Sequence, residues 1–377
     1  PHRRPCGFGL LVIQGKSMSH ALMAGIVVAA GARDPGSSLS HPGAARNLPT
    51  LNSQALAYST VIENNIVFNF GQSGIVFSGD TNTGNVSNAI VPFGRIVNNT
   101  IYGGETATGV GIRVNDNASP TILNNIVANT DTGISVSANS STTVVGTTVF
   151  QDNGTNTTGV SATNSIILSV GDPLFVNPLG GNFYLSAGSR AIDSSLNRLE
   201  DRPAITLVTD RLGIDPSDIF SPERDIFGQL RVDDPSQAPP PGLGFRVFTD
   251  RGAVERADFV GPTAELIVPL DNGPEDLDAD VTEVFILAPL TVGDFTLLLS
   301  DVGIGLDKLN IRSSQFELRR GGSLLVDGID YVFGFNANTS EVTFSSISSS
   351  FELDVYTITV DNSAATGVRD LAGNAIR

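Results

Sequence analysis

A chain of 377 residues with a net charge of −17 and only two lysines is a poor partner for nucleic acid, which needs clustered Lys and Arg. With 40 glycines, 20 prolines and no tryptophan, the composition is that of a turn-rich, all-β protein long enough for two domains. A single cysteine, Cys6, excludes an internal disulfide framework and a cysteine-built zinc site, and the longest apolar run, residues 21–32, falls short of the ~20 residues that span a membrane as a helix.

That run carries Gly25-Ile26-Val27-Val28, a Gly-Ile-x-Val pattern that returns later in the chain. It is read as a strand rather than as the apolar core of a signal peptide. His2, His20 and His41 have no partner at metal-ligand spacing and are read as surface or satisfied residues. The chain opens on Pro1 rather than Met, as expected of a piece of a longer product with further domains.

From residue 61 the chain repeats itself. Val61–Phe68, Arg95–Tyr102, Thr121–Ala128 and, more loosely, Thr143–Phe150 share one pattern, and the first three hold Asn-Asn pairs that begin at 64, 98 and 124. Each is followed by a second pattern: Ser73–Phe77, Gly111–Val114, Thr132–Val136 and Thr158–Ala162. The Asn-Asn steps are 34 and 26 residues, and Gly146 is taken as the next equivalent, 22 further on. A unit of roughly 20–30 residues that cannot bury its own apolar face must stack on its neighbours, as in a parallel β-helix. The longer first step holds a polar loop at 78–88.

Alternation with period two assigns Ile62, Ile66 and Phe68 to one face, and Ile96, Thr100 and Tyr102 likewise. The Asn-Asn pairs suit corners, because Asn tolerates left-handed backbone and bonds nearby main chain. Asn65, Asn99 and Asn125 are therefore expected to form an amide ladder along the coil axis.

From Asp172 the pattern changes. Asp172-Pro-Leu-Phe-Val-Asn177, Gly181-Asn-Phe-Tyr-Leu185, Ala187-Gly-Ser189, Ala191-Ile-Asp193, Arg224–Arg231 and Asp250-Arg-Gly-Ala-Val-Glu255 follow in order. This order resembles the closing segment of bacterial right-handed parallel β-helix proteins with the pectate-lyase-like superfamily fold. The resemblance covers about residues 55–258. It implies a right-handed parallel β-helix solenoid over 1–258, with a closing and capping segment at 172–258. The charged stretch 194–249, which holds Pro239-Pro240-Pro241, is longer than usual and is expected to cover one side or end of the coil.

Past residue 261 the style shifts. Residues 262–377 hold 18 acids and 6 bases (net −12), against 21 and 16 (net −5) before them. Seven strand candidates follow at 264–268, 281–288, 295–299, 316–319, 331–335, 341–344 and 355–360, the pattern of an immunoglobulin-like β-sandwich over 262–377. Tyr356-Thr-Ile-Thr-Val360 followed by Val368-Arg-Asp-Leu-Ala-Gly-Asn-Ala375 resembles the last strands of bacterial Ig-like repeats in large surface proteins. The resemblance implies a stalk, spacer or adhesive unit.

The densest carboxylate run, Asp271, Glu275, Asp276, Asp278 and Asp280, supplies the ligand type calcium takes but fails the EF-hand spacing. A solvated interdomain loop is the competing explanation. No other cofactor is expected.

Parallel β-helices include polysaccharide lyases and glycoside hydrolases. A lyase needs a base beside a uronate carboxyl and a cation or Arg to neutralise it; a hydrolase needs two carboxylates across one bond. In the coil, acids and bases are scattered, and Arg113, Asp116 and Asp131 form the first neighbourhood to inspect, with single surface charges as the alternative. Faces rich in Ser, Thr and Asn favour a non-catalytic structural or adhesive fragment of a large secreted or cell-surface bacterial protein, binding polysaccharide or cell-surface glycan. A polysaccharide lyase or glycoside hydrolase on the coil face is the alternative.

Overall fold

A computed structural model of the chain describes residues 13–14, 24–28, 60–79, 94–116, 118–199, 219–237, 239–270, 291–363 and 366–377. The fold is all-β. It divides into two compact units, Pro1–Ala257 and Asp258–Arg377. Among the described residues no helix is long and apolar enough to cross a membrane.

In the first unit, short β-branched segments stack as three parallel sheets. The first sheet runs Ile13–Gln14, Ile66–Phe68, Thr100–Tyr102, Ile126–Ala128, Val149–Gln151, Ile166–Leu168. The second runs Ala24–Val28, Ser73–Ser78, Val110–Asn115, Thr132–Val136, Thr155–Thr158, and the third Thr60–Glu63, Gly94–Val97, Thr121–Leu123, Val144–Gly146, Ala162–Thr163. Each full turn contributes one strand to every sheet, giving a solenoid-like stack. The Gly25 segment is accordingly a strand of the second sheet, with Ile26 opposite Ile75.

Identical residue types fall on one another in register. Ile62 pairs with Ile96 and Ile96 with Ile122; Ile75 pairs with Ile112 and Ile112 with Ile134. With Val67, Ile101, Val127 and Phe150 from the first sheet, these columns fill the coil interior. The single-face assignment of Ile62, Ile66 and Phe68 is therefore corrected. Ile62 points inward, whereas Phe68 stacks outside the coil on Phe183, at 5.1 Å between ring centroids. The corner at Asn64, with φ of 53°, breaks the alternation and resets which side chains face in. Register also shows that Gly146 lies opposite Leu123, so Thr147, not Gly146, follows Asn124 at the corner.

The middle strands of the first sheet, 100–102, 126–128 and 149–151, are consequently covered on both faces. Their outer side chains Ile126, Ala128 and Val149 pack against Leu174, Leu185, Ala191 and Ile192 of the closing segment. That segment opens with an antiparallel hairpin, Phe175–Asn177 with Asn182–Leu185, and lies along the side of the coil.

The second unit consists of two antiparallel sheets. One has the order Thr263–Val268, Asp294–Ser300, Glu341–Ser346, Tyr331–Asn336, and the other Ser323–Leu324, Phe316–Arg320, Tyr356–Val360. They share a core of Phe295, Leu297, Leu299, Phe316, Leu318 and Phe344. The strand expected at 281–288 lies outside the described residues.

Candidate functional site

The two members of each Asn-Asn pair do different work. The first adopts left-handed backbone, with φ of 53°, 51° and 56° at Asn64, Asn98 and Asn124. The second forms the column. Asn65 donates its main-chain N–H and Nδ2 to Asn99 Oδ1 at 3.0 and 2.9 Å, and Asn99 donates likewise to Asn125 Oδ1 at 2.9 and 3.0 Å. Each of these amides also reaches the main chain of its own turn, Asn99 through Val97 O and Asn125 through Leu123 O. Their burial is thus satisfied, as an interior polar group requires.

The first asparagines face the closing segment. Asn98 Nδ2 donates to Asp250 O and Gly252 O, Asn124 Nδ2 to Leu196 O and Ser221 Oγ, and Asn64 Nδ2 to Arg224 O. Leu196 N returns a bond to Asn124 Oδ1 at 2.9 Å. The closing segment is thereby latched along the corner of the coil.

Behind this latch lies a buried charged network. Asp250 Oδ1 accepts from Asp193 N and Oδ2 from Arg256 N, both at 2.7 Å. Glu255 Oε2 accepts from Asp250 N at 3.1 Å and from Arg231 Nη1 at 2.7 Å, and Oε1 accepts from Val232 N. Asp225 accepts from Glu255, Phe227 and Gln229 N–H groups, and Asp234 pairs with Arg256. Burial pushes the carboxyls of Asp193 and Glu255 up to about 7, the latter against the pull of Arg231, and raises Asp250 well above the usual carboxylate range. Burial also brings Arg251 down to about 10; its guanidinium donates to the carbonyls of Ser194, Thr148 and Asn164.

Shifted carboxylates often mark catalysis, but ion-pair networks shift them as well. Here the oxygens of Asp193, Asp225, Asp250 and Glu255 are engaged by main-chain N–H groups and arginines that build the latch. The network reads as scaffold.

A separate groove of about 230 Å³ opens beside the first sheet, where Tyr102, Asn129, Gln151, Asp152, Asp172 and Phe175 line it. Tyr102, Phe175 and Phe183 meet edge to face, with centroids 5.3–6.3 Å apart. Gln151 Nε2 donates to Asp172 O at 2.8 Å and Asp172 Oδ2 accepts from Ser169 N, which fixes the wall. Burial, first of all, raises the Tyr102 phenol; Asp152 adds to the rise and a bond from Asn129 opposes it. Sequence reasoning missed this groove. Its residues come from the outer face of the first sheet and from the Asp172 motif, which only the register brings together.

Arg113, Asp116 and Asp131 are not gathered into one cluster. Asp131 precedes the second-sheet strand Thr132–Val136 and holds Gly109 N, whereas Asp116 follows Val110–Asn115 at the opposite end of that sheet and accepts from Ser78 Oγ. Arg113 lies between them and donates from Nε to Ser73 Oγ at 3.1 Å. Each has a local structural partner. Asp271, Glu275, Asp276, Asp278 and Asp280 lie outside the described residues. No protein-family model, curated protein or solved structure matches the chain.

Proposed function

We propose that the chain is a right-handed parallel β-helix followed by an immunoglobulin-like sandwich, and that it serves as a non-catalytic adhesive element of a secreted or cell-surface protein. The observation that carries this reading is the groove at Tyr102 and Phe175. An aromatic pair flanked by amide and carboxylate groups matches a sugar, whose C–H faces pack on rings and whose hydroxyls take directional hydrogen bonds. The groove is smaller than the ~300–1,000 Å³ that encloses a drug-sized ligand. It suits one or two residues of a polymer lying along the coil. Asp152 and Asp172 on the walls and a net charge of −17 disfavour polyuronates and favour neutral glycan. Weak contact at one groove gains strength when many copies are displayed on a surface.

Affinity electrophoresis through gels containing neutral glucan, mannan or polygalacturonate tests this. The chain is expected to be retarded by a neutral polymer, and Tyr102→Ala to migrate freely. Equal migration in all gels, or retardation that survives Tyr102→Ala, contradicts the assignment.

A second reading draws on one specific feature. Asp152 and Asp172 line the same groove, as the two carboxylates of a glycoside hydrolase would.

A further inference from the structure

We propose that the last turn of the coil is an interaction surface, and that its partner is the same turn of a second copy of this chain. The turn consists of Thr155–Thr158, Ala162–Thr163 and Ile166–Leu168, the final strand of each parallel sheet. These strands pair on one side with Thr132–Val136, Val144–Gly146 and Val149–Gln151, and among the described residues no strand pairs with their other edge. The interior columns stop here as well. Ile134 is followed by Thr157, Val145 by Ala162 and Phe150 by Ile167.

Ile167 shows that this end is open. The column Val67, Ile101, Val127, Phe150 is at most 1% exposed, yet Ile167, its next member, is 64% exposed. Val160 and Ala162 pack on the same core and are only half-buried. The closing segment takes the side of the coil instead, where Ile166 and Leu168 turn outward to meet it. An apolar interior that breaks the surface beside three unpaired strand edges is a template for another chain. Residues 153–171 hold no Lys and no Pro, the residues that guard exposed edges.

Charge selects the partner. Between Asp152 and Asp172 no residue is charged, on a chain whose net charge is −17. Two copies repel each other over most of their surface and approach closely only where the charge vanishes. A neutral, apolar end also offers a charged partner of another kind nothing to pair with. Two identical ends meet about a two-fold axis, which sets the facing strands antiparallel. Their free edges can then exchange N–H···O=C bonds, and the interior columns of the two coils join at Ile167. Such a contact closes at two copies, whereas stacking this end on the first turn of the next copy would run on into a fibre. The pairing stands whether or not the groove at Tyr102 binds glycan.

Sedimentation velocity of the full chain from about 1 to about 300 μM, the span in which small interfaces associate, tests the pairing. Wild type is expected to pass from monomer to dimer and no further. The dimer should tighten between about 0.05 and about 0.5 M sodium chloride, because salt screens the mutual repulsion. Ile167→Lys should weaken it at least about tenfold by placing a charge in the contact, and Ser161→Asp, at an exposed corner of the same turn, should weaken it too. Val27→Lys should leave it unchanged, since Val27 is similarly exposed but lies on the strand at the opposite edge of the second sheet. Circular dichroism establishes that each variant is folded. A wild type that stays monomeric, growth beyond dimers, a dimer that loosens with salt, undiminished pairing in both end variants, or equal loss in Val27→Lys overturns the proposal. A monomeric wild type whose urea midpoint falls in Ile167→Lys would place a segment of the same chain on the coil end, and also overturns it.

Discussion

Asn99 shows how much one side chain carries. It accepts from Asn65, donates to Asn125, and reaches the carbonyls of Ile62 and Val97, all while fully buried. Asn99→Ala removes every one of these bonds and leaves several buried partners unsatisfied, at a cost of about 3 kcal/mol. A urea unfolding midpoint unchanged from wild type would contradict the ladder's structural role. Gly252 is the second such position. Its φ is +92°, and a Cβ would lie 2.6 Å from Ile126 Cδ1 and 2.8 Å from Thr100 Oγ1. Gly252→Ala is expected to cost about 2 kcal/mol or more, read as loss of hydrogen-exchange protection over 250–255, because backbone strain and a clash with the coil act together.

At the scale of elements, the closing segment is the strap that buries the outer face of the first sheet, and its charges set how firmly it is held. Arg231 and Glu255 are paired 2.7 Å apart, with side chains 1% and 0% exposed. Truncating one partner of such a pair strands the other, and Arg231→Met is expected to destabilise the strap by about 3–5 kcal/mol near neutral pH. The loss should shrink in acid, where Glu255 takes up a proton. Asp193 and Glu255 sit at about 7 in the fold, above their ordinary 3.8 and 4.5. The folded strap therefore binds more protons than the unfolded chain between those values. Its stability is fully present below about pH 4 and declines as pH rises through 7. Hydrogen exchange across 191–196 and 250–256, measured from pH 4 to 8 and corrected for intrinsic exchange, should show opening that becomes easier with pH. Glu255→Gln should flatten the trend. A strap that tightens with rising pH would refute the assigned direction.

At the scale of the whole molecule, the repeat made the stack legible in the sequence. The recurring Ile, one further residue and Asn-Asn, followed by Ile or Thr, fixes where strands and corners fall, because each turn must place like residues on like. What the repeat could not disclose is the outer face. Phe68, Thr100 and Tyr102 alternate as an inward face would, and only the left-handed corner at Asn64 and Asn98 turns them outward toward Phe183 and the 250–255 loop. The division of labour inside each Asn-Asn pair was hidden for the same reason, since the closing-segment partners of Asn98 and Asn124 lie 72–154 residues away.

Adhesion and hydrolysis share the groove but assign different work to Asp152 and Asp172. Incubating wild type and Asp152→Asn/Asp172→Asn with the neutral glycan that retards the chain, while following both retention and new reducing ends, separates them. An adhesive groove retains wild type and releases no reducing ends above the variant's background. Reducing ends that accumulate with wild type and vanish in the double variant would contradict it and make the groove an active site.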